Sequence, residues 1–201
     1  HISIKKYLMD ISTQRFAMNG RSMRLPPGFR FDPDDEDLVF EYLAKKVLHR
    51  PMDFDLPELR SCNVDPWDLL GEKNKEVYYF VKKEERERKG RETLSGYWEE
   101  CEEEEVMESG DRGCNHLEGR RKTFAFYIGK RPRGTITPWI MYEFRLISSR
   151  ATRWSLSPLP RGEVGKWRAV KVVVKEENDA EVEEDEQASD ESDGEEVVQS
   201  R

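Results

Sequence analysis

The sequence predicts an α+β fold that is mostly β: a twisted antiparallel β-sheet flanked by an N-terminal helix and one or two short helices. Three observations carry this expectation. Four segments are rich in aromatic and β-branched residues, the composition that suits a pleated, packed surface. One of them, Trp139 to Leu146, alternates cleanly along its length. Only one stretch combines a helical period with start and stop signals.

Residues 1 to 24 begin with His and show little periodicity, and they read as a leader outside the fold. The helix follows from Asp34. Asp34 is placed to cap it, Asp35, Glu36 and Asp37 suit its positive end, and Lys45 and Lys46 suit its last turn. Leu38, Val39, Tyr42, Leu43 and Val47 form one apolar stripe, which must pack on something, and a sheet is the expected partner. The expected strands are Val77 to Lys83, Lys122 to Gly129, Trp139 to Leu146 and Lys166 to Val174. In the third, Ile140, Tyr142, Phe144 and Leu146 share one face, while Trp139, Met141, Glu143 and Arg145 share the other, as a half-buried strand requires. Glu108 to Gly119 reads as a polar loop and Lys130 to Pro138 as a turn. From Glu176 the chain is acidic with almost no large apolar residue, so it cannot offset its ordering entropy and is expected to be disordered. The expected organisation is therefore 1–24 leader, 25–175 folded domain and 176–201 acidic tail.

The net charge of -8 hides three blocks. Residues 1–24 carry +4, residues 176–201 carry -12, and residues 25–175 hold 28 charges of each sign. Seven of the central acids lie between Glu99 and Glu108 with no cation among them, and without those seven the centre stands at +7. A basic body thus carries an acidic insert and an acidic tail. Lys82, Lys83, Arg86, Arg88, Lys89 and Arg91 cluster before Trp98, and Arg120, Arg121, Lys122, Lys130, Arg131 and Arg133 cluster after it. If the strands are neighbours, the two groups make one basic face for phosphates. The competing reading is a mixed solvated surface, because Glu84, Glu85, Glu87 and Glu92 are interspersed.

Other chemistries find little support. No enzyme is expected: His1, His49 and His116 are the three histidines, and neither a nucleophile elbow nor a phosphate-binding Gly loop occurs. The Glu run offers paired carboxylates, but a solvated run does not push their pKa values apart as acid/base catalysis needs. No metal and no cofactor are expected, since Cys114 and His116 offer two ligands where structural zinc takes about four. Cys62, Cys101 and Cys114 read as free thiols. No apolar run reaches bilayer-spanning length and no secretory signal is visible, so a soluble, intracellular protein without membrane contact or small-molecule substrate is expected.

Several blocks, in order, carry a further likeness. Leu25 to Leu43 (LPPGFRFDPDDEDLVFEYL), Asp65 to Leu70 (DPWDLL), Tyr78 to Phe80, Ser95 to Trp98 (SGYW), Phe126 to Leu146 and the strand of Trp167 together resemble the NAC family of plant transcription factors. The resemblance covers about residues 25 to 175. It implies a nuclear transcription factor that binds double-stranded DNA as a homodimer or as a heterodimer with other NAC proteins. It implies further that Leu25, Pro26, Pro27 and Gly28 meet their symmetry mates, with Arg30 pairing Asp37 across the two-fold. Where the family usually has Glu, this chain has the shorter Asp37, which also suits its own helix N-terminus. DNA contact by Arg88 and Arg91 before the reading strand, and by Arg121, Lys122, Lys130 and Arg133 after it, is implied by the same likeness.

The reading strand itself departs from the family. After Tyr97-Trp98 relatives typically continue Lys-Ala-Thr-Gly, whereas this chain has Glu99-Glu100-Cys101-Glu102-Glu103-Glu104-Glu105. Like charges about 4 Å apart cost about 1 kcal/mol in water and about 4 kcal/mol at an effective dielectric of 20, so such a strand repels a duplex. Four outcomes stay open: loss of direct DNA reading with action through dimerising relatives, acids turned away as a solvated bulge, binding through an intact partner's strand, or acids drawn onto the chain's own Lys and Arg.

Overall fold

A computed structural model describes residues 15–18, 21–24, 30–70, 75–83, 91–108, 117–148 and 164–175. Where a leader outside the fold is expected, β1 (Arg15–Met18) and β2 (Arg21–Arg24) form an antiparallel pair instead, and β1 also pairs with β3 (Phe54–Asp55). The register brings Met18 opposite Arg21, and the intervening dipeptide in the sequence is Asn19-Gly20, a strong hairpin signal. The acidic tail from Glu176 lies outside the described residues.

The helical segment, α1, runs through α-helical Asp35–Asp37, a π-helical stretch Leu38–Leu43 and α-helical Ala44–Val47. Asp34 caps it: its side chain accepts from the Asp37 N–H at 2.6 Å. A π turn bonds five residues back, as Ala44 N–H does to Val39 O, and turns through less angle per residue than an α turn. Phe40, off the stripe at a strict α period, is buried with Leu38, Val39, Leu43 and Val47.

The expected sheet is present, with eight strands in the order β4-β5-β11-β10-β9-β7-β6, and β8 pairs with β9 beside β7. These strands are β4 (Glu58–Leu59), β5 (Glu76–Lys82), β6 (Arg91–Glu92), β7 (Gly96–Glu100), β8 (Glu105–Glu108), β9 (Leu117–Ile128), β10 (Thr135–Ser148) and β11 (Trp167–Val174). All pairings are antiparallel except β4 with β5. β9 and β10 begin earlier than the aromatic runs suggest, β9 at Leu117 inside the expected loop and β10 at Thr135 inside the expected turn.

Two cores sandwich the sheet. On one face α1 and Phe31, Phe54 and Leu56 cover Tyr78, Phe80, Phe144, Leu146, Trp167 and Ala169. On the other, Cys62, Leu69 of the short helix α2 (Pro66–Leu69), Tyr79, Trp98, Phe124, Phe126, Met141, Val170 and Val172 pack together. The half-buried reading of Trp139 to Leu146 therefore gives way to a strand covered on both sides, with Met141 and Glu143 buried opposite Phe144 and Leu146. With both faces covered, the sheet offers its edges to solvent.

Candidate nucleic-acid interface

The charged edge begins with a turn anchored from α2. Asp65, just before Pro66, is buried and accepts hydrogen bonds from Thr93 Oγ1, from the Ser95 N–H at 3.2 Å and from Ser95 Oγ at 2.8 Å. Thr93 N–H in turn donates to Gly96 O at 2.8 Å, which closes the β6–β7 turn. Gly96 is required by close approach, since a Cβ there would lie 2.0 Å from Tyr127 O. Tyr97 stacks on Tyr127 with ring centroids 5.3 Å apart, and Trp98 is buried with Nε1 donating to Val64 O at 3.3 Å. The Ser95 to Trp98 block is thus a device that seats β7 on β9.

Beyond Trp98 the edge strand is broken. Glu100 pairs with Phe124 and Glu105 with Arg121, so Cys101 to Glu104 face Lys122 and Thr123, four residues against two. This is a β-bulge, tied by the Cys101 N–H donating to Thr123 O at 3.0 Å. Pairing resumes in β8 because Met107 is buried against Gly119, where an added Cβ would meet Met107 at 3.1 Å and Val39 at 3.0 Å.

The acids of this edge take up the chain's own cations. Glu99 holds Arg131 at 2.6 Å, and that guanidinium also donates to Trp98 O at 3.0 Å and lies 4.3 Å from the Tyr97 ring centroid. Glu100 accepts from Lys122 Nζ through both oxygens, at 2.7 and 2.9 Å. Glu104 bridges Arg145 at 2.6 Å and Arg120 at 3.5 Å, and Glu118 also pairs with Arg120. Glu105 pairs with Arg121, which reaches Asp35 of α1 at 2.6 Å as well. Partial burial works against the charge of Arg121, but the hydrogen bond to Asp35 and the charges of Glu105 and Asp35 outweigh it and raise its pKa. Glu102 and Glu103 are exposed and have no ion pair among the described residues. Between them and Thr123, burial and then the Glu102 charge push the Cys101 thiol up, which keeps it a thiol rather than a thiolate at neutral pH. Half-exposed pairs of this kind are each worth about 0–1 kcal/mol, so they hold the cations without locking them.

The anticipated DNA-contacting residues fall in different places. Arg121 and Lys122 are consecutive on β9 and project to opposite faces, Arg121 toward α1 and Lys122 toward the face of Phe124. Lys130 and Arg133 sit exposed on the β9–β10 turn with no side-chain ion pair among the described residues. Arg91 of β6 stands 4.0 Å over the Phe124 ring and bonds Glu143 at 2.6 Å, while Arg168 holds the other Glu143 oxygen at 3.0 Å. Arg88 lies outside the described residues, as do Leu25, Pro26, Pro27, Gly28, Cys114 and His116. Arg30 is exposed and reaches Glu76 of its own chain at 3.4 Å, and the Asp37 N–H is used in the α1 cap. Glu143, Arg145 and Arg168 were missed by sequence reasoning, because the alternation of β10 puts Glu143 and Arg145 on the face read as solvent.

The geometry defines a class: a twisted antiparallel sheet covered on both faces, with its chemistry concentrated along one charged edge. Within that class the chain belongs to the NAC family, whose model, described as No apical meristem (NAM) protein, matches residues 26–146. NAC domain-containing protein 83 of Arabidopsis thaliana is 47% identical over 133 residues, covering 63% of this chain and 52% of that protein. NAC domain-containing protein 41 of the same plant is 41% identical over 133 residues, covering 64% and 48%. Protein CUP-SHAPED COTYLEDON 3, also from Arabidopsis thaliana, is 36% identical over 152 residues, covering 72% and 45%. The chain spans about half the length of the curated relatives it matches.

Proposed function

We propose that the protein is a sequence-specific, DNA-binding regulator of transcription, acting in the nucleus as a dimer with itself or with other NAC proteins. Family membership supports the class of activity, and no catalytic role is proposed. The observation that carries DNA contact is the line of cations at the β7–β8 edge: Lys130 and Arg133 on the adjoining turn, Arg131 folded against β7, and Arg120, Arg121 and Lys122 along β9. An edge presented end-on to a groove leaves cations from both sheet faces beside the flanking phosphates.

A second reading is favoured by one feature, the acids of that same edge. In it the protein dimerises with DNA-competent relatives and reads no DNA itself. The discriminating experiment is fluorescence anisotropy of a duplex carrying the recognition element of NAC proteins, titrated with the full chain at several salt concentrations beside a scrambled duplex. Tighter binding to the element than to the scrambled duplex, with affinity that falls as salt rises, is the expected result. Absence of binding at low salt, with retention of duplex by a mixed dimer with a basic relative, would transfer the assignment to the second reading.

A further inference from the structure

We propose that Glu99, Glu100, Glu104 and Glu105 act as a built-in counter-ion that occupies the basic edge in the unbound protein, so that DNA must displace carboxylates to reach it. This inference rests on the DNA-binding reading above and concerns the regulation of that same site. Four carboxylates hold five cations: Arg131, Lys122, Arg120, Arg145 and Arg121. The pairs lie on both faces of the sheet, Glu99 with Arg131 and Glu105 with Arg121 on the α1 side, Glu100 with Lys122 and Glu104 with Arg120 and Arg145 on the other. Alternation along β7 already sends Glu99 and Glu100 to opposite faces. The bulge then sets the register in which Glu105 comes opposite Arg121 and Glu104 reaches Arg120 and Arg145.

A carboxylate oxygen 2.6–2.9 Å from a guanidinium or ammonium nitrogen makes the same kind of charge-assisted contact as a phosphate oxygen. The run therefore competes with the duplex for the donors themselves, which is more specific than repulsion at a distance. Simple repulsion depends on how many negative charges the edge carries, whereas competition depends on which carboxylates touch cations. Glu102 and Glu103 provide the internal control, being exposed, in the same bulge, and without an ion pair among the described residues.

Competition changes the ion count of binding. A free Lys or Arg that meets phosphate releases a condensed cation from the duplex and contributes about 0.9 to the salt slope. When the cation must first leave a carboxylate, the exposed carboxylate takes up a cation in return, so the slope is shallower than the number of contacts. Affinity is low at low salt for the same reason.

The test compares two double variants of the full chain that remove the same charge, E99Q/E100Q and E102Q/E103Q, with the parent, by anisotropy across a salt series and with thermal melts as a folding control. The expected result is a slope steeper by roughly 1 to 2 for E99Q/E100Q, at about 0.9 per freed cation, with tighter binding at low salt. E102Q/E103Q should leave the slope close to that of the parent. If E99Q/E100Q melts early, E105Q, which frees Arg121 from one of two acids, is compared with the single variant E102Q, which removes the same charge. Equal changes in the paired and unpaired variants would overturn the inference while leaving DNA binding intact. No binding by the parent or by any variant at low salt would overturn the DNA-binding reading, and the inference with it.

Discussion

Glu143 is the residue on which the fold stakes most charge. It is buried on β10, where Arg91 of β6 and Arg168 of β11 grip its two oxygens, and the Arg91 guanidinium also stands over the Phe124 ring. One carboxylate thereby links β6 to strands on the far side of β9. Removing one partner of a buried ion pair leaves charges uncompensated and costs about 3–5 kcal/mol. Glu143→Ala is expected to lower the unfolding free energy by about that much in a urea titration at neutral pH, and a change below about 1 kcal/mol would show the triad to be solvated rather than buried. Sequence reasoning placed Glu143 on an outward face because alternation alone cannot reveal that a second core covers that face and that Arg91 and Arg168 close over the carboxylate. Asp65, by contrast, stood inside a quoted motif, although its bonds to Thr93 and Ser95 needed the fold to become visible.

Among the elements, α1 was the most readable. Its cap, its acidic first turn and its apolar stripe are local, short-range signals, and Asp34 caps it as expected. Asp34→Ala should destabilise the domain by about 1 kcal/mol, measured as a shift in the urea midpoint, with Asp34→Ser nearly restoring it. A serine variant no better than alanine would show that the carboxylate acts through charge rather than through the hydrogen bond. The π turn was not readable, because nothing in the residue types of Leu38–Leu43 distinguishes a hydrogen bond five residues back from one four back. β3, β4 and β6 are two residues long, too short to carry a period, and they exist because longer neighbours supply a ladder. β8 is hidden for another reason: its acid-rich composition argues against a strand, and one buried Met107 beside Gly119 overrides that composition. The hairpin of β1 and β2 carried a legible Asn-Gly signal that weak periodicity on either side obscured.

On the scale of the whole molecule, the two cores set the response to alkali through one buried tyrosine each, Tyr78 and Tyr79. Burial first, then the charges of Glu76 and Asp32, hold the Tyr78 phenol well above its ordinary pKa, and burial does the same for Tyr79. The folded state therefore keeps these protons longer than the unfolded chain, whose phenols titrate near about pH 10. The stability that they contribute is fully present below that pH and is lost as pH rises through the folded pKa. Phenolate absorbance should rise for Tyr78 and Tyr79 together with loss of tertiary circular dichroism. Ionisation of Tyr78 and Tyr79 before any unfolding would contradict their burial.

The sheet keeps its hydrophobic cores on its two faces and the acids of Glu99 to Glu105 along one edge. Folding and recognition consequently depend on largely separate sets of codons. Few changes between Glu99 and Glu105 touch a core side chain, so that stretch can be rewritten from one charge to the other while the scaffold beneath it is inherited intact. A lineage with such an edge can diversify what it recognises much faster than it can alter its shape.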